Sequence, residues 1–324
     1  MGWQLLLPNR KMAVFAGREI LAALSYHDIF DYPLKESEIC KFLIQAPGPK
    51  LSSRARSRSA GQPPGKFEAS KNKIKDSLKK LLKKEEIFKK GIFYSLPHRE
   101  EVFETRRKRE KFSRKKLAIA YQTVCFLRLI PWIRMIGLTG GLAMENSGEN
   151  DDIDFLIVTT EKRLWLTRLL AVLILEVLGR RRRADAIKIE EIKDKVCLNM
   201  FLDETSLQLN PGRRNLFTAH EVVQLKPIFN RDQTYERFLR ANQWAEEYLP
   251  NAIKSQNSKL KSQNHNLKLK FIDFLEAFCY RGQIKYMKKK QTSEEISRHF
   301  AFFHPRLTAQ RVLKMYHERL KEYG

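Results

Sequence analysis

The sequence predicts an α+β protein, a mixed sheet flanked by helices, and three observations carry that expectation. Apolar residues recur at helical spacing over most of the chain, as at Ile74, Leu78, Leu81 and Leu82. Two apolar runs, 136–138 and 153–158, are strand-length and are joined through Gly140-Gly141. A third strand is read over 195–203, after an intervening helix at 162–178.

Composition narrows the function classes. At 324 residues the chain has room for two or three domains, and 43% hydrophobic residues exclude wholesale disorder. Lys and Arg total 62 against 37 Asp and Glu, a net charge of +25. A single-sign field of that size favours polyanionic partners: RNA, DNA, nucleotides or an anionic membrane surface. Cys40, Cys125, Cys197 and Cys279 are far apart, which argues against a zinc knot or a disulfide framework and suits a reducing cytoplasm. The most apolar stretch, 164–178, holds Arg168 and Glu176 and is too short to span a bilayer. The expectation is a cytoplasmic protein with no membrane segment.

In chain order, 17–45 reads as two helices interrupted at Asp31-Tyr32-Pro33. Residues 46–73 are rich in Pro, Ser, Gly and Arg and are expected to form a disordered insertion. A third helix carries Lys73, Lys75, Lys79, Lys80, Lys83 and Lys84, and 87–94 reads as a tight β-hairpin around Gly91. Three helices and a hairpin in that order resemble a winged helix-turn-helix domain covering 12–98. The resemblance implies that the third helix would lie in a nucleic-acid groove, with its lysines on phosphates; a solvated lysine face serving protein contacts is the alternative. A charged helix over 104–116 follows, either lining a nucleic-acid path or serving as a solvated connector.

The chemistry centres on Gly140-Gly141 and on Asp152-Ile153-Asp154-Phe155. In a strand, residues i and i+2 share a face, so Asp152 and Asp154 project together while Ile153 and Phe155 enter a core. Two adjacent carboxylates repel unless a cation lies between them, and Mg²⁺ is the hard, oxygen-preferring choice. The glycines let backbone approach phosphate oxygens. An apolar residue, Gly-Gly, a spacer and Asp-x-Asp between apolar residues together resemble the signature of the DNA polymerase beta-like nucleotidyltransferase superfamily, over about residues 130–205.

That resemblance implies a Mg²⁺-dependent enzyme moving a nucleoside monophosphate from a nucleoside triphosphate to an acceptor hydroxyl on RNA, a protein or a small molecule. Asp152 and Asp154 would hold the metal, and Gly140 and Gly141 the phosphates. The superfamily carries a third carboxylate on the next strand. The matching position here reads as Asn199, which can ligate weakly but not act as a base. The alternative is therefore a catalytically weakened, nucleotide- and nucleic-acid-binding regulator. The nucleotidyltransferase domain is expected over 104–210. Residues 211–324 are expected to form a helical domain, with a polar connector at 255–266. Arg163 and Arg168 are candidate triphosphate contacts, and His220 and His304 candidate acid–base groups that more often serve packing.

Overall fold

A computed structural model describes residues 10–45, 71–183, 186–253, 270–288, 295–303 and 307–323. Of the disordered insertion expected at 46–73, residues 46–70 lie outside the described residues, as do the connector at 255–266 and His304, whereas 71–73 open a helix, Lys71–Lys83. The chain divides into two compact units, one comprising 1–106, 244–254 and 312–324, the other 107–243 and 255–311.

The first unit contains α1 (Arg10–Asp28), β1 (Leu34–Lys35), α2 (Glu36–Lys41), α3 (Lys71–Lys83), β2 (Phe88–Lys90) and β3 (Phe93–Ser95). The strands form an antiparallel sheet in the order β1-β3-β2. Gly91, at φ +62°, makes the tight turn between β2 and β3. Ile20, Leu24, Leu34, Ile39, Leu43, Ile74 and Leu78 fill its core. Asn251 and Tyr248 hydrogen-bond to the backbone at Cys40 and Gln45, which ties the 244–254 segment to the same unit.

The buried Arg106 anchors this unit. It donates bidentate hydrogen bonds of 2.9 and 2.8 Å to Glu38, bonds the Pro33 carbonyl, and stacks 3.9 Å over the Tyr32 ring. The charged run at 104–116 is thus not uniformly a solvated face: Arg106 and Lys116 are both buried. Hydropathy alone does not separate a paired buried cation from a solvated one, because the partners come from distant sequence.

The second unit is built on α4 (Glu101–Leu127), β4 (Ile133–Leu138), α5 (Gly140–Ala143), β5 (Ile153–Thr159), α6 (Leu164–Val177), α7 (Ile189–Ile192) and β6 (Val196–Asp203). It continues with α8 (Leu216–Gln224), β7 (Lys226–Asn230), α9 (Thr234–Ala241), α10 (Lys270–Lys288), β8 (Glu295–Ile296) and β9 (Phe300–Phe302); a last helix, Leu307–Tyr323, belongs to the first unit from Val312 on. Six strands form one mixed sheet in the order β7-β4-β5-β6-β9-β8. Strands β5 and β6 pair in parallel, across the crossover that contains α6, and the other described strand pairs of this sheet are antiparallel. Ile136, Leu138, Phe155, Ile157 and Phe201 leave the sheet for a core shared with Trp165, Ala171 and Leu175 of α6. Full burial of each large side chain is worth roughly 1.5–3 kcal/mol.

The general α+β class holds, but the C-terminal region is not purely helical. Lys226–Asn230 and the segments at 295–296 and 300–302 supply three of the six strands. Pro227 is tolerated in this strand because β7 lies at the sheet edge. The other two strands have two and three residues, too short to display a period.

Helix α6 is fixed by α10. Glu276 accepts from the backbone N–H groups of Trp165 and Leu166, 2.8 Å each, so a carboxylate distant in sequence satisfies the helix N-terminus. Arg163 pairs with Asp273 at 2.6 Å, and Arg168 bonds Gln283 and lies 4.9 Å over the Phe303 ring. Both arginines considered for triphosphate contact are therefore engaged in holding α10.

Candidate functional site

Strand β5 begins at Ile153, with Asp152 immediately before it and Asp154 the second residue. The strand interior, Phe155 to Val158, is buried, so the alternation that points Phe155 into the core leaves both aspartates on the opposite face. Beside them the parallel register pairs Asp154 with Cys197 of β6. One ligand atom from each of Asp152, Asp154 and Cys197 lies within 4.8 Å of the other two.

Gly140, the first residue of α5, closes the site. It has φ +61°, and a Cβ there would lie 2.9 Å from Asp154 Oδ2. Backbone conformation and clearance thus both require glycine. Gly141 is tight against the next loop instead: a Cβ there would meet the Asn146 carbonyl oxygen at 3.3 Å. Between β4 and α5, Thr139 makes no side-chain cap, and its buried hydroxyl has no partner.

The electrostatics are unbalanced. Burial, then the negative charge of Asp152, raise the Asp154 carboxyl far above the carboxylate range, with Arg182 working the other way. Asp154 Oδ1 is buried without a hydrogen-bond partner. The Cys197 thiol is pushed up to about 12 by burial and by both carboxylates. Arg182 Nη1 donates to Asp152 Oδ2 at 2.7 Å and lies 3.6 Å from Cys197 Sγ, so one guanidinium answers part of the negative charge. Glu221 of α8 adds to the repulsion on Asp154, and its own carboxyl is raised to about 7 by burial.

The loops that bring these groups together hang on a buried lysine. Lys116 Nζ donates to the carbonyls of Glu149 and Asp151 at 3.1 and 2.6 Å and pairs with Asp194 at 2.6 Å. It thereby joins the loop before Asp152 to the turn before β6. Ser113 Oγ accepts from Ser147 N, and Asp151 Oδ2 accepts from Gly148 N, so the 145–151 loop is fastened along its length.

The expected residues are thus partly assembled. Asp152, Asp154 and Gly140 come together. Phe155 pairs with Leu198 and Leu156 with Met200, leaving Asn199 as the extra residue of a β-bulge, and it is buried. Cys197 is the residue opposite Asp154. Asp203, further along β6, is fully buried and accepts from Thr205 and His299, a structural arrangement. His220 is buried in α8 with Nδ1 bonded to the Leu216 carbonyl.

Sequence reasoning missed Cys197, Arg182 and Lys116. Cys197 sits two residues before Asn199, and nothing in the sequence sets which of the two lies opposite Asp154.

The donor set fits a divalent cation in one respect and departs from Mg²⁺ in another. A buried, partnerless carboxylate oxygen facing a second carboxylate is what a cation would satisfy. A thiol, however, is foreign to the all-oxygen shell that Mg²⁺ takes. No family model matches the chain, and no curated protein is significantly similar to it. Among the described residues, no helix is long and apolar enough to cross a membrane.

Proposed function

We propose that the second unit is a divalent-cation-dependent nucleotidyltransferase domain, moving a nucleoside monophosphate from a nucleoside triphosphate to an acceptor hydroxyl. The observation that carries this reading is the Asp154 carboxylate beside Asp152, its Oδ1 buried without a hydrogen-bond partner, with Gly140 backbone against it. Asp152 and Asp154 would hold the cation, whose chemistry is to neutralise charge at the α-phosphate and polarise it. Gly140 keeps side-chain bulk away from Asp154. The Lys116 bridge holds the loop before Asp152 against the turn before β6, so ligand positions are set before substrate arrives. Arg182 bonds Asp152 and supplies positive charge beside both carboxylates until the cation takes its place. The test is transfer from α-labelled nucleoside triphosphates to fractionated cellular RNA and protein, with and without divalent cation. Asp152→Asn and Asp154→Asn should each reduce labelling by about a hundredfold or more while the fold is retained. Undiminished labelling by both variants overturns the reading.

A second reading, a regulator that binds nucleotide without turnover, is favoured by one observation. The residue opposite Asp154 is a thiol rather than a third carboxylate, so no base of the expected kind stands there. Nucleotide binding without product over hours would select it. In either reading the first unit serves as a winged-helix-like module for nucleic acid. The order of its helices and hairpin supports this, as do the exposed Lys73, Lys79, Lys80 and Lys83 on α3 and Lys89 and Lys90 on β2. Binding to duplex DNA or RNA should then weaken steeply with salt, and replacing two α3 lysines should reduce that slope by about 2.

A further inference from the structure

We infer that the cation of this site is thiophilic, of the Zn²⁺ or Co²⁺ type, and that Cys197 is its third protein ligand beside Asp152 and Asp154. The role of that ion in nucleotide chemistry rests on the function proposed above; its identity rests on the ligand set alone.

Three observations combine. Parallel pairing puts Cys197 directly across from Asp154, and the three potential ligand atoms fall within 4.8 Å of one another. That spread suits a single ion bound at about 2.0–2.3 Å by oxygen and sulfur. Asp154 Oδ1, buried and without a partner, supplies an independent sign that a ligand belongs there. Cys197 is a free cysteine, and among the described residues the next strand position that could offer an oxygen, Asn199, is held in the bulge.

Ligand chemistry then chooses the ion. Mg²⁺ seeks six hard oxygens in octahedral geometry, whereas thiolate draws zinc-like ions. Three protein ligands and an open fourth position are the arrangement of reactive zinc sites. On binding, the sulfur–metal bond forms as the Cys197 thiol releases its proton to solvent, so uptake is accompanied by acid release. Arg182, at 2.7 Å from Asp152 Oδ2 and 3.6 Å from Cys197 Sγ, occupies part of this space and must give up its bond to Asp152.

Titrating the full chain with Co²⁺, Zn²⁺ and Mg²⁺ separately tests the assignment. Co²⁺ should bind one per chain with a thiolate-to-cobalt charge-transfer absorbance. Cys197→Ser should remove that absorbance and weaken Co²⁺ about tenfold or more; Cys40→Ser and Cys125→Ser should leave both unchanged. Absorbance that survives in Cys197→Ser, Co²⁺ bound without a charge-transfer band, or tighter binding of Mg²⁺ than of Zn²⁺ would each overturn the inference. Nucleotide binding measured on the same samples keeps the two ideas apart. Metal bound through oxygen alone with nucleotide still bound defeats only the thiol ligand. A cobalt–thiolate band with no affinity for nucleotide defeats only the proposed function.

Discussion

Each unit buries charge, but in opposite ways. In the first, Arg106 meets Glu38 through two hydrogen bonds, with a carbonyl and an aromatic face completing its surroundings. Burial works against the Glu38 charge, yet the hydrogen bonds and charge of Arg106 prevail and hold its carboxyl below the ordinary range. In the second, burial and Asp152 drive Asp154 upward, and an oxygen is left without a partner. A saturated buried pair stabilises a fold; an unsaturated one carries a standing cost that a ligand can remove. The difference teaches where to look for chemistry in a chain whose charged residues are numerous.

The contrast can be broken most forcefully at its saturated end. Arg106→Met should destabilise the first unit by about 3 kcal/mol, because the half-buried Glu38 loses the cation paired with it. Urea unfolding followed through Trp244 would measure it, and a loss under 1 kcal/mol would show the pair to be dispensable. At the unsaturated end the sign reverses. Asp154→Asn removes the repulsion from Asp152 and should raise the stability of the second unit by about 1 kcal/mol, seen as a higher melting temperature without metal. The same variant should lose that gain when the wild type is supplied with its cation.

A smaller effect lies in Arg182→Ala. Freed of the guanidinium, Asp152 and Cys197 should bind divalent cation about three- to tenfold more tightly by calorimetry. Weaker binding would mean that Arg182 orients the carboxylates rather than competing for them.

The last concerns His27, buried in α1 with Nδ1–H donating to the Ala23 carbonyl at 2.8 Å. Burial pushes its pKa down to about 4. Between about pH 6.5 and 4 the unfolded chain binds the proton that the folded chain refuses, so stability falls as pH falls through that window and is flat above it. The full difference is on the order of 3 kcal/mol. His27→Gln should lose this slope, as read by hydrogen exchange of α1 amides.

How much of this was legible in sequence depends on the range of the interaction. The order of helices and hairpin in the first unit, and the placing of Asp152 and Asp154 on one face, follow from local periodicity. The identity of the residue opposite Asp154 does not. A bulge at Asn199 shifts the register by one, and nothing in Leu198-Asn199-Met200 announces it. The roles of Arg182 and Lys116 were hidden because their carboxylate and carbonyl partners lie about 30 to 80 residues away. The strands at 226–230 and 300–302 escaped because sheet edges are set by their neighbours rather than by their own composition.

Lys116 carries one further consequence. Its ammonium is 1% exposed and tied to two loops at once, so an acylating reagent can reach it only when those loops part. The rate at which this one lysine is labelled, against the many on the surface, is therefore a clock on the opening of the site. Cation or nucleotide that closes the loops should slow that clock without any change in the chemistry of the amine.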